Sequence, residues 1–304
     1  MKESLMHPEY PEQKCRLDAP IDFLAVGHVT HDRVDGKIRL GGAALYSALT
    51  AARMGKQVAV LTSYGDDFVG ADTLDGIPAI VRPAQKTSTF KNTYTRNERI
   101  QRVYEMAEVL SPEALPPLWR TSRVVYLCPV LHEVPPEMVE LFPESLVGVA
   151  PQGFFRTWNG QGRIRPCRWE GYERMLRRAT MVIVSENDIA GNEDIIGDFR
   201  RLARIVIVTR AEKGARVFSG NTVLDLGAYP ATECEPTGAG DCFGASFLVR
   251  YQETGDIEEA ARFASCVGAF VVEKDGIQGI PTREDVLERM KSYALPVSRS
   301  KDRP

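Results

Sequence analysis

The residues best suited to chemistry are Glu235-Pro236-Thr237-Gly238-Ala239-Gly240-Asp241-Cys242-Phe243. They lead into a stretch with Phe243, Phe247 and Tyr251 at helical spacing, which sets the glycines at a helix N-terminus. Such an end offers unpaired backbone N–H groups and a partial positive charge. Two glycines let the backbone approach a bulky anion, so the amides of Gly238, Ala239 and Gly240 can cradle a phosphate. A carboxylate at Asp241 would repel that phosphate, unless it takes the proton of an attacking hydroxyl. The other reading is a tight turn followed by an acid favoured by the helix dipole. These residues alone leave both open. No GxxxxGK[ST] run occurs, which argues against a P-loop enzyme.

The elements around this turn alternate. Strands are expected over residues 21–26, 57–61, 124–127, 146–149, 181–184 and 205–208, from short apolar runs. Helices are expected after Gly41-Gly42 up to Gly55, and over 136–141, 169–178, 238–251, 257–273 and 283–292. Strand–helix alternation implies a parallel sheet covered by helices on both faces. Residues 87–95 and 100–104, rich in Thr, Phe and Tyr, read instead as a polar hairpin turning at Arg96-Asn97-Glu98. It suits a lid at the ligand end of the sheet.

A chain of 304 residues can bury a large α/β core. Its 38 basic and 41 acidic residues give a net charge of −3, which offers no support for a nucleic-acid or anionic-membrane partner. Six scattered cysteines without a CxxC pair suggest neither a zinc site nor a disulfide framework. The first twenty residues lack the apolar run of a signal peptide, and no apolar stretch approaches a membrane span. A cytoplasmic protein is expected. Residues 1–20 read as an N-terminal extension, 21–294 as the main domain and 295–304 as a polar tail.

PTGAGDCF resembles the C-terminal signature of the pfkB, ribokinase-like carbohydrate kinases, and GGAALYSALTAARMG, from Gly41 to Gly55, resembles their N-terminal signature. Supporting matches run from Gly27 and Asp32 through residues 65–70, Arg99-Ile100-Gln101 and Pro151-Gln152-Gly153 to Thr209 and Gly214. The resemblance implies a ribokinase-like α/β fold: a central, mostly parallel sheet flanked by helices, with a small β lid from segments near 30–42 and 85–107. It implies Asp241 as catalytic base and Gly238, Ala239 and Gly240 as anion hole. It assigns Asp32, Gly41, Gly42, Tyr46, Arg99 and Gln152 to the acceptor. Thr209, Arg210, Gly214, Thr237, Ser265 and Gly268 fall to the nucleotide. ATP and Mg2+ are the implied cofactors, with Glu186 and Asp188 near the magnesium. Glu235 and Thr237 lie where many relatives bind a monovalent cation such as K+.

Three positions depart from the family pattern. Tyr46 stands where an asparagine usually touches the sugar; it either meets the substrate or packs in the core. Ser185-Glu186-Asn187-Asp188 replaces NxxE, so the shorter Asp188 would act through a water, or Glu186 would substitute. Arg210-Ala211 replaces the glycine after Thr209, and Arg210 either reaches phosphates or is a solvated charge. His28 and His31 flank Asp32, where they can bond substrate hydroxyls or orient neighbours, and their spacing suits a metal pair only weakly. GHVTHD followed by LGGAALYSA looks most like the myo-inositol kinase-like branch.

The expected function is ATP-dependent phosphorylation of a hydroxyl on a small polyol or sugar, inositol before a hexose or pentose. A nucleoside kinase is the alternative, with Phe90, Tyr94 and Tyr104 available for stacking. A non-catalytic sugar- or nucleotide-binding regulator would have no need of Asp241. A dinucleotide-dependent oxidoreductase lacks its GxGxxG after the first strand. Expected partners are the small acceptor, with neither nucleic acid nor membrane, and a homodimer through the lid stays open.

Overall fold

Phe23, Leu24, Ala25 and Val26 are all fully buried, because the strand they form has helices on both faces. In this computed structural model residues 20–34, 36–94 and 99–301 are described, with the backbone alone at Tyr94 and Arg99. The expected extension over 1–20 therefore lies, apart from Pro20, outside the described residues, as does the turn at Arg96-Asn97-Glu98.

In chain order the elements begin with β1 (Phe23–Val26), β2 (Thr30–Val34), β3 (Lys37–Gly41), α1 (Ala43–Arg53), β4 (Val58–Tyr64) and β5 (Ala79–Pro83). Then come β6 (Thr89–Tyr94), β7 (Arg99–Glu105), β8 (Val124–Leu127), β9 (Leu146–Val149), β10 (Arg156–Trp158) and β11 (Ile164–Pro166). They continue with α2 (Tyr172–Leu176), β12 (Met181–Ser185), α3 (Ile195–Leu202), β13 (Ile205–Thr209), β14 (Ala215–Ser219) and β15 (Thr222–Leu226). The chain closes with α4 (Ala239–Thr254), α5 (Ile257–Val272), α6 (Arg283–Ser292) and β16 (Val297–Lys301).

The main sheet has ten strands in the order β16-β15-β14-β13-β12-β9-β8-β1-β4-β5. From β13 to β5 every pairing is parallel; β14, β15 and β16 are antiparallel. Alternate strand residues feed two cores. Phe23 and Ala25 join the one containing α1, α4 and α5, and Leu24 and Val26 the one containing α2 and α3. A separate four-stranded sheet, β3-β2-β6-β7, is built from the two segments expected to form the lid.

The structure differs from the sequence reading at several elements. Pro136–Leu141 is a 3-10 helix, and the helix expected over 169–178 shortens to α2. Residues 297–301 do not fray but pair antiparallel with β15, anchored by buried Leu295 and by Gly227 N–H donating to the Pro296 carbonyl at 3.0 Å. A strand of Val, Ser, Arg, Ser and Lys has the polar makeup of a sheet edge, which hid it.

Candidate active site

Gly238 caps α4 in the left-handed region, at φ 81°. A Cβ there would fall 2.3 Å from Tyr46 Cδ1, so the ring lies directly under this backbone. A Cβ on Gly240 would meet nothing within 4 Å, so the turn is packed at Gly238 and open at Gly240. First-turn amides that are open on one side and supported on the other can receive an anion. Tyr46 is 1% exposed, which differs from the expectation that it touches the substrate: it is the floor of the glycine turn. Burial, then Cys242, Asp32, Asp241 and Glu235, all push its phenol pKa upward, so these acidic groups converge around one ring.

Asp241 follows in the first turn of α4, enclosed by protein on most sides yet not closed off from solvent. Burial pushes its carboxyl up to about 7; Arg156 opposes that rise and Asp188 adds to it. Asp188 is held by Ser185 N–H at 3.1 Å and by Gln152 Nε2 at 3.3 Å, so Gln152, expected at the acceptor, braces an acid that faces Asp241. Glu186 turns elsewhere, toward Lys213 at 3.9 Å, so the structure offers Asp188 alone of the two expected magnesium acids. Among the described residues no group of three acids, histidines or cysteines could hold a metal unaided. One acid beside Asp241 fits a magnesium held chiefly by phosphates and waters.

The lid supplies the opposite wall. Asp32 pairs with Arg39 on β3 and with Phe90 on β6, and Phe90 with Val103 on β7, so these four residues share one face. A Cβ on Gly41 would fall 2.5 Å from Asp32 Oδ2, and one on Gly42 2.4 Å from the His28 carbonyl oxygen. The glycine pair thus lets the lid strand pass close to Asp32 as it enters α1. The histidines are occupied. His28 contacts Ser88 Oγ and the Glu108 carbonyl oxygen, and His31 Nε2 accepts the Val69 N–H at 3.3 Å while stacking on Phe68. Arg99 lies on β7, its side chain outside the described residues. Tyr104 faces away, beneath Arg33.

The pfkB family carbohydrate kinase model matches residues 159–283. The chain is 27% identical over 264 residues to a cytidine kinase of Thermococcus kodakarensis, covering 80% of this chain and 92% of that one. It is 24% identical to an inositol 3-kinase of Arabidopsis thaliana, covering 83% and 74%. Its fold is similar to the sulfate complex of a pyrophosphate-dependent kinase in the ribokinase family, with TM-score 0.74, 22% identity, and 88% and 99% coverage. Residues 159–283 thus carry a pfkB carbohydrate-kinase match, and the chain as a whole has the ribokinase-like fold. It is a phosphotransferase with an alcohol acceptor. Among its described residues no helix is long and apolar enough to cross a membrane.

Most of the residues expected at the nucleotide gather at β13–β15. Thr209 ends β13, with its Oγ1 toward the Val184 carbonyl at 3.4 Å. Arg210 is not a freely solvated charge. Its guanidinium binds Asp225 Oδ1 at 2.6 Å, and Arg216 holds the other oxygen at 2.7 Å. Gly214, at φ 88°, passes 2.0 Å from the Leu226 carbonyl oxygen measured from an added Cβ, so only glycine fits. Ser265 Oγ reaches the Gly227 carbonyl at 3.5 Å, and Gly268 faces open space. An open surface depression of about 360 Å³ is lined by Arg210, Lys213, Leu226, Gly227, Pro296 and Val297, among others.

Sequence reasoning missed two residues here. Arg156 opens β10, donates to the Val130 carbonyl at 2.8 Å, lies over the Phe90 ring and opposes the rise in the Asp241 pKa. Arg39 reaches from the lid to Glu235, the acid that also holds Thr237 N–H and O–H at 3.0 and 2.6 Å. Both sit in unremarkable local sequence, so no motif marks them.

Proposed function

We propose that this kinase transfers the γ-phosphate of ATP to a hydroxyl of a small polyol or sugar. The observation that carries the proposal is Asp241. It is a carboxyl with pKa about 7, set in the first turn of α4 between a glycine cradle and the lid face bearing Asp32. A base poised near neutrality takes a hydroxyl proton efficiently. Asp32 accepts acceptor hydroxyls and orients the ring, with Phe90 and Arg156 beside it. The acceptor oxygen loses its proton to Asp241 as it attacks phosphorus, and the leaving β-phosphate keeps the electron pair. The amides of Gly238, Ala239 and Gly240 stabilise the charge that builds on the transferred group. Magnesium, near Asp188, would neutralise phosphate charge during that passage.

An inositol-like polyol, with hydroxyls and an apolar ring face, suits a lid face of Asp32 and Arg39 beside Phe90 and Val103, and similarity to the Arabidopsis inositol 3-kinase supports it. A nucleoside acceptor is the second reading, supported by similarity to the Thermococcus cytidine kinase. Phe90 is 3% exposed and covered by Arg156, which leaves little ring for a base to stack on. The test is a panel of inositols, hexoses, pentoses and nucleosides with ATP or pyrophosphate as donor, followed by product release. Turnover of a polyol or sugar with ATP supports the proposal. Turnover confined to nucleosides favours the second reading, and turnover confined to pyrophosphate overturns the donor.

A further inference from the structure

One side chain joins the lid to the glycine turn. Arg39 Nη1, on β3, donates to Glu235 Oε2 at 3.1 Å and lies 2.9 Å from Asp275 Oδ1. The other Glu235 oxygen is taken by Thr237. Cys234 and Glu235 donate their backbone N–H groups to the Val272 carbonyl at 2.7 and 3.2 Å. The two loops flanking the start of α4 are therefore laced together, and the guanidinium bridges a carboxylate from each.

This is the place where the family resemblance puts a monovalent cation, and the residues do not fit one. Glu235 Oε1 is engaged by Thr237, while Glu235 Oε2 and Asp275 Oδ1 already face a positive charge. A second cation there would meet the guanidinium at short range. We propose that Arg39 takes the place of the monovalent cation, so that the lid itself supplies the charge ordering the anion-hole turn. Asp32, which should hold the acceptor, is the cross-strand partner of Arg39.

The effect on turnover rests on the kinase reading; the exclusion of the cation does not. Arg39 is 38% exposed, so its truncation should leave the fold intact. The full-length protein is melted in KCl and in choline chloride at equal ionic strength, as wild type, Arg39→Ala and Arg39→Lys. The expected result is one Tm in both salts for wild type and Arg39→Lys, and a Tm that rises with KCl for Arg39→Ala. With an active acceptor, Arg39→Ala should lose at least about tenfold in kcat in choline, with acceptor KM less affected, and recover part of it in KCl. Wild-type kcat should be the same in both salts. A KCl-dependent wild-type Tm or kcat overturns the proposal, as does an Arg39→Ala protein whose Tm ignores KCl. Because melting needs no substrate, it decides even if no acceptor is found.

Discussion

A base must be unprotonated to act, so the raised pKa of Asp241 shapes the pH response. Activity toward the acceptor at saturating ATP should fall as pH drops through about 7. Arg156 favours the charged carboxylate, so Arg156→Gln should move that limb to higher pH. A pH profile of kcat/KM for both proteins checks this, and an unmoved limb would remove Arg156 from the base's surroundings. The same shift bears on stability. Folded Asp241 keeps a proton that the unfolded chain gives up near 3.8, so stability declines as pH rises from there to about 7. The place of Asp241 in the first turn of a helix was legible in the sequence, because Gly238 and Gly240 come just before an apolar stretch at helical spacing. Arg156 was not, since its effect on Asp241 joins residues 85 apart in the chain, which local spacing does not encode.

Among elements, the α1–α4 contact is decisive. Gly238 needs to be glycine for two reasons, its φ of 81° and the Tyr46 ring beneath it. Gly238→Ala should lift the turn off that ring and lower kcat by roughly 10²–10³-fold, as loss of one oxyanion donor does, with acceptor KM changed less. Steady-state kinetics with the active acceptor would show it. The sequence placed Tyr46 in the right helix turn but could not tell a floor from a wall, because which side of α1 meets the glycine turn is a tertiary fact. After β13, Ala211 holds φ 48°, a left-handed conformation that costs a residue with a Cβ about 1 kcal/mol. Ala211→Gly should therefore stabilise the protein by up to about 1 kcal/mol, less the added freedom of the unfolded chain. Urea unfolding measures it, and a destabilised variant would show that the strain is relieved elsewhere. Position 211 is one off the family's glycine pattern, which is why the departure was visible in sequence and its backbone consequence was not.

Over the whole molecule, the sheet order explains what could be read and what could not. The parallel strands from β5 to β13 are apolar runs with no other stable home, so most of them were evident. The antiparallel edge β14-β15-β16 was missed, since β14 and β15 are short and interrupted by Arg216 and Asp225 and β16 is polar, yet β15 and β16 line the depression beside Arg210. The Arg39–Glu235 contact spans 196 residues and was equally invisible. The fold brings these separate segments to one end of the sheet, and the account stands on their serving one reaction there. The most direct test is 31P NMR of ATP with the best acceptor of the panel, run with wild type and with Asp241→Asn. Wild type should convert the γ-phosphate into a new phosphomonoester of the acceptor, and the variant should do so about 10²–10⁴-fold more slowly while ATP still binds. Equal rates of phosphomonoester formation by the two proteins would contradict the account.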